Sequence, residues 1–149
     1  NKRIFWLLLI PLTLWLTTKI GYAKNVTPSL PYKHFLIYFS KTVKRGDLIT
    51  FKGSENSYYQ GLNITKQVIG MPGDTITTSD REVFINGEYV ATAKERSKQG
   101  KPLSVITNQV IPYKHYFVFV KHKDSYDSRY QELGLIDEKN IIGISYPLW

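Results

Sequence analysis

At 149 residues, 42% hydrophobic and 14% aromatic, the chain is long enough for one modest core and contains no low-complexity tract. It has no cysteine, which excludes disulfides, a thiolate nucleophile and Cys-based zinc or iron–sulfur sites, and leaves the redox compartment open. The net charge of +8 admits nucleic acid or an anionic membrane as a partner. The basic residues are dispersed, however, over Lys41, Lys44 and Arg45, then Lys94 to Lys101, then Lys121 and Lys123. No nucleic-acid-binding motif interleaves them, so a basic face near anionic lipid is expected and a nucleic-acid partner is not. His34, His115 and His122 lack metal-ligand spacing, and neither a metal nor a cofactor is expected.

The chain opens with Lys2 and Arg3, followed by an uncharged, mostly apolar run from Ile4 to Thr18. That run is 15 residues, short against the ~20 that a spanning helix needs. Continuing to Ala23 reaches that length at the cost of Lys19, whose amine can snorkel to the interface. Trp6 and Trp15 lie towards the two ends, as interfacial anchors do. A cleaved signal peptide is the alternative, because Gly21 and Ala23 are small residues spaced as in an A-x-A-like cleavage site. Residues 1–23 are therefore read as a membrane anchor or signal segment, and 24–149 as the exported domain.

Next comes T-P-S-L-P, Thr27 to Pro31. Each proline fixes its own φ and biases the preceding residue towards extended backbone. Ser29 is thus presented from a stiff stretch, which suits either a nucleophile or an ordinary turn. Beyond it the chain reads as β-structure. Short apolar runs at Phe35 to Phe39, Asp47 to Phe51, Ile64 to Gly70, His115 to Val120 and Ile141 to Tyr146 are strands. Pro72-Gly73 is a turn signal, and Asn86-Gly87 within Glu82 to Val90 is the favoured two-residue hairpin turn. The stretch K-E-R-S-K-Q-G-K-P is a polar loop, and only Tyr130 to Asn140 has room for a short helix or helical turn. The pattern predicts an all-β sandwich or partly closed barrel.

Lys66 stands inside an apolar strand. If that strand alternates, Lys66 shares a face with Ile64 and Val68, where a charge is expensive. The other phase turns Lys66 to solvent and buries the more polar Thr65 and Gln67. A desolvated lysine favours the neutral amine, which takes a proton from a serine hydroxyl without any histidine.

In order along the chain, these residues resemble the type I signal peptidase family, the Ser–Lys membrane-bound endopeptidases. The matches are S-L-P at Ser29, K-Q-V-I-G-M-P-G-D from Lys66 to Asp74, V-F-I-N-G from Val83 to Gly87, S-Y-D-S-R from Ser125 to Arg129, and the closing I-I-G-I-S-Y-P-L-W. The short branch that serves conjugative transfer is the nearest in form, and the sequence departs from the longer relatives in lacking their large extra β-domain. Gln67 replaces the family's usual Arg, and F-V-K-H at Phe119 to His122 stands where G-D-N-R is usual.

The resemblance implies a signal-peptidase-like twisted β-sandwich or partly open barrel behind one N-terminal transmembrane or signal helix. It implies Ser29 as nucleophile and Lys66 as general base. Thr27 takes the position whose hydroxyl joins the backbone N–H of Ser29 in the oxyanion hole. Ser125 hydrogen-bonds the lysine, and Asp127 and Arg129 form a supporting ion pair. The expected function is a serine endopeptidase on the periplasmic side of the bacterial inner membrane, cleaving a conjugative pilin precursor or another exported protein. Two alternatives stand beside it. One is a transpeptidase that cyclises the pilin, with Asp127 the residue to watch; the other is a non-catalytic anchored domain that binds the transfer apparatus.

Overall fold

Alternating apolar residues become strands wherever one face can be buried, and this chain has enough of them for two antiparallel sheets. The computed structural model describes residues 2–25, 29–54 and 58–148 and, in the N-terminal helix, side chains from Leu9 onward. Helix α1 spans Lys2–Thr17. The strands that follow are β1 (Ile20–Lys24), β2 (His34–Tyr38), β3 (Leu48–Lys52), β4 (Asn63–Gly70), β5 (Thr75–Ser79), β6 (Glu82–Ile85), β7 (Glu88–Thr92), β8 (Gln109–Val110), β9 (His115–Phe119), β10 (Ile136–Asp137) and β11 (Ile141–Pro147). One sheet has the order β1-β2-β11-β3-β4-β9-β10 and the other β7-β6-β5-β8. The fold class is therefore all-β with one N-terminal helix, as the sequence predicts.

The helix is shorter than the anchor reading required. Thr18 and Lys19 close its last turn with N–H bonds to the carbonyls of Trp15 and Leu16, three residues back, a common way for a helix to end. Ile20 then enters β1, which pairs residue by residue with β2 from Ile20↔Tyr38 to Lys24↔His34. The backbone of 20–23 is thus committed to a sheet and does not extend the helix. Among the described residues, no helix is long and apolar enough to cross a membrane. Ile10, Leu12, Leu14 and Trp15 are nonetheless exposed on α1, and Tyr22 is exposed on β1.

The core forms two clusters. Ile49, Phe51, Ile64, Val68, Val118, Ile141 and Ile144 belong to the first, and Ile76, Val83, Ile85, Ile106, Ile111 and Phe117 to the second. Strand β9 joins them: Tyr116 and Val118 point into the first cluster and Phe117 into the second. This is why β9 reads as a continuous apolar run, as strands covered on both faces do. The segment Tyr130 to Asn140 holds only a single 3-10 turn, Glu138–Asn140, because Ile136–Asp137 is drawn into pairing with β9.

Candidate active site

Strand β4 buries Ile64, Lys66 and Val68 on one face, so Lys66 takes the costly phase of the alternation. Its side chain is 0% exposed, while Gln67 is exposed. Pairing to Ile49 of β3 fixes its position along the sheet. Just beyond it, the register between β4 and β9 shifts at Val68 to Gly70, a bulge of the kind that re-aims side chains near functional sites.

The Lys66 amine meets two hydroxyls. Nζ donates to Oγ of Ser29 at 3.2 Å and to Oγ of Ser125 at 2.8 Å. Ser29 is half-buried in a turn between β1 and β2, so the proline-flanked serine and the strand lysine, 37 positions apart, are brought within hydrogen-bond distance. The Tyr59 ring centroid lies 5.9 Å from Nζ. Burial holds the Lys66 pKa down, from the ordinary 10.5 to about 8. The negative charge of Asp127 opposes that shift and the positive charge of Arg129 adds to it.

The stretch S-Y-D-S-R supplies Ser125 and the charges behind it. Asp127 is 0% and Arg129 4% exposed. Arg129 grips the carboxylate with Nε to Oδ1 at 2.8 Å and Nη2 to Oδ2 at 2.9 Å, a bidentate pair that is strong and geometrically specific. The guanidinium also lies 4.9 Å from the Phe119 ring. The segment is tied back to β9, because Oγ of Ser128 accepts from the Val118 N–H at 3.0 Å. The Asp127–Arg129 pair is thus internal structure that sets where Ser125 sits. Thr27, the expected oxyanion-hole residue, lies outside the described residues.

Tyr59 carries no mark in the sequence. It sits in the run S-Y-Y-Q-G, which reads as polar linker, and no spacing marks it. Burial pushes its hydroxyl up to about 12, with Asp127 adding to the shift, so it stays a neutral wall beside the amine.

A cleft of about 280 Å³ lies between β1 and β4, lined by Tyr22, Lys24, Asn25, Tyr59, Asn63 and Thr65, and shares with this centre the Tyr59 ring that faces Nζ. Asn63 to Thr65 pair with β3 on one side, whereas pairing of β4 with β9 begins only at Gln67. Among the described residues, no strand pairs with the second edge of Asn63 to Thr65.

The site is a buried amine between two serine hydroxyls on an antiparallel β-frame, and the chain's relatives give its family. The sequence model described as "Signal peptidase, peptidase S26" matches residues 3–149. A signal peptidase I of Bacillus licheniformis is 36% identical over 110 residues, 68% of this chain and 56% of that protein. Signal peptidase I T of Bacillus subtilis (strain 168) is 34% identical over 123 residues, 73% of this chain and 61% of that protein. The solved signal peptidase I of Enterococcus faecalis V583 is similar with a TM-score of 0.43 and 24% identity, over 69% of this chain and 96% of that one. The chain belongs to the type I signal peptidase family, and its match spans less than two thirds of the length of the two Bacillus relatives.

Proposed function

We propose that the protein is a membrane-associated serine endopeptidase of the signal peptidase I type, with Ser29 as nucleophile and Lys66 as general base. The observation that carries this reading is the buried Nζ at 3.2 Å from the Ser29 hydroxyl, held at a pKa of about 8. The neutral amine accepts the serine proton as Oγ attacks the scissile carbonyl. The tetrahedral intermediate collapses, the C–N bond breaks, and the ammonium of Lys66 returns the proton to the departing amine. Water, deprotonated by the same amine, then hydrolyses the ester on Ser29. Ser125 holds Nζ in line through its 2.8 Å hydrogen bond. Thr27 is retained as an oxyanion donor on the family resemblance alone.

The substrate proposed is an exported precursor with small residues at the first and third positions before the cut, a conjugative pilin precursor being the leading candidate. Its upstream segment would add to the open edge at Asn63 to Thr65. The catalytic domain, 24–149, would lie on the periplasmic face of the inner membrane, with the exposed apolar side chains of α1 facing lipid. The test is incubation with a candidate pilin precursor and intact-mass analysis beside Ser29→Ala and Lys66→Ala. A linear product, with both variants reduced at least ~10³-fold, is expected. A product lighter by one water would instead establish ring closure. Full processing by Ser29→Ala would leave only a binding role.

A further inference from the structure

The dyad borders a second cleft, of about 320 Å³, walled by Tyr58, Tyr59, Ser125, Tyr126 and Tyr130 and rimmed by the loop 94–103. Its volume falls at the lower end of the ~300–1,000 Å³ of ligand pockets. It touches the reactive centre twice. Oγ of Ser125 accepts from Nζ of Lys66, and the Tyr59 ring, which faces that nitrogen, lines both clefts.

The walls hold one another in place. Tyr126 stacks on Tyr130 with centroids 5.7 Å apart and meets Tyr59 edge-on at 5.5 Å. The rim is tied down by Arg81, whose guanidinium donates to the carbonyls of Ala93 at 3.0 Å, Lys94 at 2.5 Å and Leu103 at 2.8 Å. Nε2 of Gln99 donates to the Tyr58 hydroxyl at 3.0 Å.

We infer that this cleft holds the residues immediately downstream of the bond that is cut and favours a carboxylate side chain among them; the inference rests on the endopeptidase reading above. The proton taken from Ser29 must be handed to the departing amine, so that nitrogen passes within hydrogen-bond distance of Nζ as the C–N bond breaks. The upstream chain fills the cleft beside β1 and β4. The downstream chain therefore leaves past Nζ on the other side, which Ser125 marks.

The lining suits a peptide. Tyrosine rings offer broad apolar faces with polar tips. Oε1 of Glu132 accepts from the Ser104 N–H at 2.7 Å, while its Oε2 is buried with no hydrogen-bond partner among the described residues. A buried oxygen of that kind is costly until a donor arrives, and a main-chain N–H of the bound segment is such a donor. On the rim, Lys94 and Lys98 are both paired with Asp124. Arg96 and Lys101, which are exposed, make no ion pair among the described residues. The lining carries four basic against two acidic side chains, and that excess favours an acidic occupant.

The test uses the full chain in detergent with peptides that share one upstream sequence and carry either Glu or Lys at the second and third downstream positions. A small alkyl ester of the same upstream sequence reads the dyad alone. The wild type is expected to cleave the Glu peptide with a kcat/KM about 3–10-fold above the Lys peptide at low salt, as two rim charges allow. In the double variant Arg96→Glu, Lys101→Glu that order is expected to reverse, with ester cleavage unchanged. Ester cleavage with no difference between the peptides, or the same preference in wild type and double variant, would overturn the inference while leaving the dyad intact. Failure of the wild type to cleave even the ester would overturn the endopeptidase reading, and this inference with it.

Discussion

Lys66 is the residue on which the proposed chemistry turns, because burial, not a neighbouring cation, is the largest influence on its proton. Below pH 8 the amine is charged and cannot accept from Ser29. If Lys66 is the base, kcat/KM rises about tenfold per pH unit up to about 8 and levels above it. Linkage gives an independent check. Unfolded, Lys66 keeps its proton to its ordinary 10.5; folded, it loses it at about 8. Between those values the unfolded chain binds more protons, so stability rises with pH there, and the burden on the fold is full below pH 8. That burden is about 3 kcal/mol. Urea midpoints of wild type and Lys66→Met should differ most near neutrality, with the variant more stable, and converge as pH approaches 10.5. Flat kinetics across pH 7–9 would show that some other group limits the reaction.

Among the elements, β11 is the most exacting, since it pairs with both β2 and β3 and has no room for a side chain at Gly143. A Cβ there would stand 2.2 Å from the Tyr38 carbonyl oxygen and 2.9 Å from Cγ2 of Ile37. The first contact is with backbone, which cannot rotate away. Gly143→Ala is expected to lose about 1–3 kcal/mol in urea unfolding; an unchanged midpoint would mean that β2 and β11 are not this close. How legible each element was depended on what its ends carried. The hairpin β6–β7 could be read because Asn86 and Gly87, at φ 51° and 82°, are the residues that favour the left-handed region. The hairpin β5–β6 turns on Asp80 and Arg81, at φ 45° and 68°; Asp tolerates that region but Arg does not favour it, so the pair is a weaker turn signal than Asn-Gly. Strand β1 was hidden because its small and apolar residues continue the hydrophobic run of α1. Strands β8 and β10 have two residues each and no period to detect. In the site, Ser29, Lys66 and Ser125 were legible through ordered motifs. Tyr59 and the tyrosine-walled cleft were not, because packing among distant tyrosines leaves no local spacing.

Across the whole molecule, the candidate site draws on three stretches far apart in sequence, around Ser29, Lys66 and Ser125, and the two sheets share β9 as a common wall. The ion pair of Asp127 with Arg129 stiffens one side, and the hydroxyls of Thr50, Thr65 and Ser145, linked at 2.7 and 2.6 Å, tie β3, β4 and β11 together nearby. Such a frame holds an amine in a dry position that it would not adopt in a looser chain. The most direct measurement is the nitrogen NMR titration of lysine side-chain amines in the intact chain, with Lys66 assigned by its loss in Lys66→Met. Lys66 is expected to titrate at about 8, at the same midpoint as kcat/KM. A Lys66 amine that titrates at its ordinary 10.5 would contradict it.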